Sequence, residues 1–209
     1  NMDDNGEQYS GTSSENLLNS LRRGGSDCKK IYVIKHYNTF DLREEDVAHR
    51  AATSPNVYYH NFIGSEMTDA FEPFLHIIKD MYNKYYATNH RFSDMYDFLS
   101  TCNVYPLHQS IFKSYIETGV CSRYEDLIAC EVEFEHKMFV ADVKNILKFI
   151  TDEYTVFLYV NNLNRASMST IELLKDIYEN QSTNGLLILA AYNDLHSVHL
   201  HMTDLWESY

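Results

Sequence analysis

Proline occurs three times and glycine seven times in 209 residues. That scarcity excludes collagen-like, linker-rich or low-complexity organisation and calls for a chain that is ordered over most of its length. Basic residues are also few: 17 Lys and Arg stand against 30 Asp and Glu, for a net charge of −13, which argues against direct nucleic-acid binding. The four cysteines, Cys28, Cys102, Cys121 and Cys130, form neither a C-x-x-C nor a paired spacing, so they read as reduced thiols rather than a disulfide framework or a zinc site. No run of about 18 apolar residues and no secretory-type apolar segment at the start calls for a membrane. The expected location is cytoplasmic. A G-x-S-x-G nucleophile elbow is missing too, and no Cys–His pairing suggests covalent catalysis.

What the chain does contain is aromatic mass, with 17 Tyr and 11 Phe, and enough length for one core without staples. Residues 1–13 have no apolar period and read as a flexible leader. Residues 14–209 then read as a single α/β domain, expected to be a fragment of a longer chain. Short apolar runs suited to buried strands fall at Ile31–Ile34, Val57–Ile63, Val156–Val160 and Leu186–Ala191. Helical segments lie between them. Phe71, Phe74, Leu75, Ile78, Met81, Tyr82 and Tyr85 recur at three- and four-residue steps and predict one helix with Pro73 in its first turn. Shorter helices are expected in 90–121, with Pro106 near one start and Gly119 near one stop. Ser122-x-x-Glu125 predicts the cap of a long helical region reaching Ile150. Alternation of this kind predicts a mainly parallel sheet covered by helices on both faces, with a helical insertion around 90–150 and strand ends gathered along one edge.

Two strand ends carry the functional reading. Residues 31–47 form an apolar strand, a short loop and a helix opened by Asp41-x-x-Glu44, the frame of a phosphate loop. A working loop of the form G-x-x-x-x-G-K-[ST] wraps phosphate in backbone N–H groups, neutralises it with lysine and ligates magnesium through the hydroxyl. Laid over residues 35–42, those positions hold Lys35, Phe40, Asp41 and Leu42. The glycines are gone, and with them the tight cradle. Asp41 replaces the lysine, where its carboxylate can cap the helix and occupy the amides that would attract an anion. Two like charges about 4 Å apart repel by roughly 4 kcal/mol near a protein surface.

The second strand end is Val160-Asn161-Asn162, where an active nucleotidase keeps one or two acids to hold Mg²⁺ and orient water. An amide donates and accepts hydrogen bonds but supplies neither a base nor a charge to offset a divalent ion.

The order of these elements resembles the STAND class of AAA-related regulatory ATPases, the nucleotidase cores of large bacterial regulators. Three stretches carry the resemblance: Phe71-Glu-Pro-Phe-Leu-His-Ile-Ile78; Asn161-Asn-Leu-Asn-Arg-Ala-Ser167 with Thr170-Ile-Glu-Leu-Leu174; and Leu186–Asn193. The resemblance implies a phosphate loop at Lys35–Leu42, metal and base positions at Asn161 and Asn162, and a sensor at Asn193. All depart from the active pattern. The expectation is therefore a non-catalytic nucleotidase-like module of a bacterial signalling or transcriptional regulator. It would act through neighbouring domains of a longer chain or other proteins, with self-association compatible, and would need no cofactor. The alternative is an ATP-binding switch or weak ATPase that holds ATP or ADP through His36, Asn38, Thr39, Asp41 and the Asn161, Asn162 and Asn193 amides. A plain α/β interaction domain unrelated to nucleotidases is the third reading.

Other signals are weaker. His196, His199 and His201 offer three imidazoles but no completing ligand, so they read as a His-bearing surface segment rather than a zinc site. Glu133-x-Glu135-His-Lys137 contains a nuclease-like triplet inside an expected helix and reads as a solvated face. The aromatic face of 71–86 reads as core.

Overall fold

The structure is a computed structural model, and it describes residues 30–36, 57–65, 70–119, 133–161, 165–179 and 186–193. The expected leader, the loop and helix expected within 37–47, the cap at Ser122 and the histidines of 196–201 lie outside the described residues. The chain divides into two compact units. One comprises Asn1–Thr68, Tyr154–Met168 and Asn184–Tyr209; the other comprises Asp69–Glu153 and Ser169–Thr183.

The first unit is built on four parallel strands: β1 (Lys30–His36), β2 (Val57–Ile63), β3 (Thr155–Asn161) and β4 (Leu186–Asn193). All four fall where the apolar runs predict, and three extend a little further. β1 pairs with β4, β4 with β3, and β3 with β2, in the order β1-β4-β3-β2. Residues Val156–Val160 of β3 are buried throughout, which is the fate of a continuous apolar run held between two parallel neighbours. Phe157 stacks on Tyr59 of β2 with ring centroids 5.5 Å apart.

The second unit is helical. Its elements are α1 (Glu72–Met81), α2 (Met95–Thr101), α3 (Pro106–Thr118), α4 (Glu133–Glu153) and the body of α5 (Met168–Glu179). Pro73 and Pro106 occupy first-turn positions, where the missing N–H would have found no helical partner. Asp94 caps α2 by accepting the Asp97 N–H at 2.8 Å. Gly119 ends α3 in the left-handed conformation, at φ 74°, which glycine enters without a Cβ penalty.

The helix expected to run on through residue 85 changes its winding instead. Tyr82–Tyr86 form a π-helical turn. Hydrogen bonds spanning five residues insert one extra position, so the next inward side chain comes one residue late. Tyr86 is accordingly buried, at 2 % exposure, while the expected Tyr85 is only partly covered. Tyr86 donates its hydroxyl to Glu153 Oε2 at 3.1 Å and joins a cluster in which Phe98 meets Tyr82, Phe92 and Phe149. Arg91 ion-pairs with Glu153 and lies over the Phe92 and Phe149 rings. A second cluster forms where Phe139 of α4 stacks on Phe112 of α3 at 4.9 Å and meets Phe71 edge-on at 5.0 Å.

Candidate functional site

Because the strands of the first unit are all parallel, their C-terminal ends lie along one edge of the sheet, the edge where α/β sheets bind ligands. Those ends are His36, Ile63, Asn161 and Asn193. His36 is in register with Asn193, Ile63 with Asn161, and Val160 with Ala190. Asn161 is thus level with Ala191, and Asn193 reaches two residues beyond it. With neighbouring strands about 4.8 Å apart, β4 carries Asn193 between the end of β1 and the end of β3.

The sheet therefore brings three expected site residues, His36, Asn161 and Asn193, to one edge. Asn38, Thr39, Asp41 and Asn162 lie outside the described residues. The four strand-end residues are an imidazole, two amides and an isoleucine that is 60 % exposed. None is a carboxylate. Such a set can exchange hydrogen bonds with a ligand or a peptide, but it offers magnesium no charged oxygen. Among the described residues no group of three or more His, Cys, Asp or Glu side chains could hold a metal ion.

A titratable pair in the second unit escapes sequence reasoning. Asp142 of α4 accepts from the Tyr105 backbone N–H at 3.0 Å through Oδ1, and its Oδ2 lies 2.6 Å from His108 Nδ1. Both residues are 4 % exposed. The imidazole is packed edge-on against Tyr105 and Phe139, at 5.2 and 5.7 Å. A carboxylate holding Nδ1 fixes the ring as it does in hydrolase triads. Here, however, the ring is wedged among aromatics at the start of α3, and the pair clamps that start to α4. One signal could have found it: Asp142 interrupts the apolar series Met138, Val143, Ile146, an acid at a position where only a partnered acid survives burial.

Cys102, the one cysteine among the described residues, is buried and free. Burial pushes its thiol up to about 12, with Arg91 lowering and Glu153 raising it further. A thiol so hard to ionise is a packing group rather than a nucleophile. The nuclease-like triplet falls in the first turns of α4, and its Lys137 is exposed.

No protein-family model matches this sequence, and no curated protein matches it in a sequence comparison.

Proposed function

We propose that this chain is a non-catalytic, nucleotidase-like module of a bacterial regulatory protein, working in the cytoplasm by docking neighbouring domains or other proteins. The observation that carries the reading is the strand order. A nucleotidase needs its phosphate loop, its metal acids and its sensor at one sheet edge, and β1-β4-β3-β2 brings the corresponding ends together with the sensor strand in the middle. The chemistry at those ends has meanwhile been exchanged. Asn161 and Asn162 stand where acids would hold magnesium, and Asp41 where a lysine would hold phosphate. A fold kept without its charges retains an edge of hydrogen-bonding amides, which suits a polypeptide surface better than a triphosphate.

Two measurements on the purified chain test this. The first is magnesium-dependent ATP hydrolysis, expected to be indistinguishable from buffer. The second is thermal unfolding with ATP or ADP. A ligand at about 100 times its dissociation constant adds roughly 2.7 kcal/mol, so a saturable rise in Tm would replace the docking reading with that of an ATP-binding switch. Turnover would overturn the proposal outright.

A further inference from the structure

The second unit contains a cleft of about 480 Å³ walled by two helices. The α4 wall carries Val140 and Ala141 between Lys137 and Lys144, and the α5 wall carries Glu172 and Leu173 ahead of Asp176. Steps of three and four residues make each wall a single stripe down one helix face. Phe71 lies beneath them and is buried. Val140 is half-buried and Ala141 exposed, so part of the apolar lining is open to a ligand. The volume lies within the span of about 300–1,000 Å³ that small-molecule pockets occupy.

Three of the four charged groups in this lining are already engaged. Lys144 and Asp176 pair with each other from wall to wall, and Lys137 has an interaction partner of its own. Neither lysine is left to receive an anion, and Asp176 is not left to receive a cation. Glu172 differs. It is exposed, and among the described residues it makes no hydrogen bond or ion pair.

That carboxylate stands next to Leu173 on the same stripe and shares the cleft with Val140 and Ala141. A ligand that brings a positive charge to Glu172 can therefore lay a hydrocarbon part on the apolar lining and remove both from water. The net charge of −13 biases the surrounding field toward cations as well. A carboxylate or phosphate ligand would find no unengaged cation among the lining residues, and would be repelled by Glu172.

We propose that this cleft binds an apolar monoamine, a small primary amine whose ammonium faces Glu172 and whose hydrocarbon part covers Val140, Ala141 and Leu173. The site is built from the second unit alone and does not rest on the docking reading.

The test is calorimetric titration and ¹⁵N-resolved NMR of the full chain with phenylethylamine, with phenylethanol, which keeps the ring and loses the charge, and with methylammonium, which keeps the charge and loses the ring. Saturable binding of phenylethylamine is expected, with amide shifts at Val140, Ala141 and Glu172. Phenylethanol should bind about threefold more weakly, the scale of one exposed charge contact, and methylammonium more weakly still. Glu172→Gln, at an exposed position, should bring phenylethylamine down to the affinity of the alcohol and leave the alcohol unchanged. Ala141→Leu, also at an exposed position, adds bulk to the cleft and should weaken amine and alcohol alike. Four results would each overturn the site: no saturable binding of phenylethylamine, equal binding of either partial probe, indifference of the amine to Glu172→Gln, or indifference of both ring compounds to Ala141→Leu.

Discussion

His108 Nδ1 lies 2.6 Å from Asp142 Oδ2, and both side chains are 5 % exposed. One sits two residues into α3 and the other mid-way along α4, so a single contact fixes where the two helices meet. The second carboxylate oxygen of Asp142 takes the Tyr105 N–H immediately before α3. Helix start and partner helix are thus joined through one side chain.

Removing one member leaves the other buried without its partner. Asp142→Ala is expected to destabilise the fold by about 3–5 kcal/mol, the range for breaking a buried pair. His108→Leu with Asp142→Leu should recover part of that loss, because the imidazole is no longer left without its carboxylate and only the Tyr105 N–H loses its acceptor. Urea unfolding followed by circular dichroism checks both. A loss under about 1 kcal/mol for Asp142→Ala, the scale of an exposed pair, would mean that the pair clamps nothing.

Phe98 is 0 % exposed and meets four other rings. Truncating it removes a large side chain and leaves a cavity that such a cluster fills only in part. Phe98→Ala should cost about 3–5 kcal/mol. The same truncation at Tyr96, which is 42 % exposed, should cost well under half as much. Equal effects in denaturant titrations would contradict the assignment of Phe98 to the centre of this core.

Cys102 gives a pH prediction. Its thiol is raised from 9.0 to about 12 by burial, so the folded state holds a proton that the unfolded state releases. With more protons bound in the folded state, stability falls as pH rises. The contribution is fully present below pH 9 and is lost between 9 and about 12. Cys102→Ala should therefore flatten the decline of Tm in that window. At pH 8, a thiol alkylating reagent followed by peptide mass spectrometry should leave Cys102 unmodified in the folded chain and modify it in urea. Rapid native labelling would refute the burial.

Gly119 closes α3 at φ 74°. A Cβ there would stand 3.0 Å from Lys79 Nζ, a flexible end that can move aside, so the backbone conformation decides the cost. Gly119→Ala should destabilise by about 1–2 kcal/mol through left-handed strain alone. Thermal unfolding of Gly119→Ala against Gly119→Asn separates this from packing, since asparagine tolerates that conformation better. Equal losses for both would point to space instead of strain.

Sequence periodicity located the four strands and the starts of α1 and α3 closely, because those signals are local. Apolar runs of four to seven residues, first-turn prolines and a terminal glycine act within one or two turns of chain. The π-turn was not legible in that way. Phe71 to Tyr85 has a regular helical period, and what pulls Tyr86 inward instead is Glu153 and the rings of Phe98 and Phe149, far along the chain. The His108–Asp142 pair was hidden for the same reason. Asp142 alone marks an acid within an apolar series, but nothing in the sequence names His108 as its partner; only the packing of α3 on α4 does.

The candidate site divides along the same line. The residue types were fixed by sequence: an aspartate where a phosphate loop keeps lysine, and amides where a metal strand keeps acids. Their chemistry follows wherever they lie, since charge and hydrogen-bonding capacity belong to the side chain. Their assembly was decided only in three dimensions. β1 and β4, from opposite ends of the chain, pair in parallel and bring His36 beside Asn193, a non-local choice made by the burial of whole strands. The Lys144–Asp176 ion pair of the second unit is the extreme case, because the two residues acquire a common meaning only when two separate helices come to lie side by side.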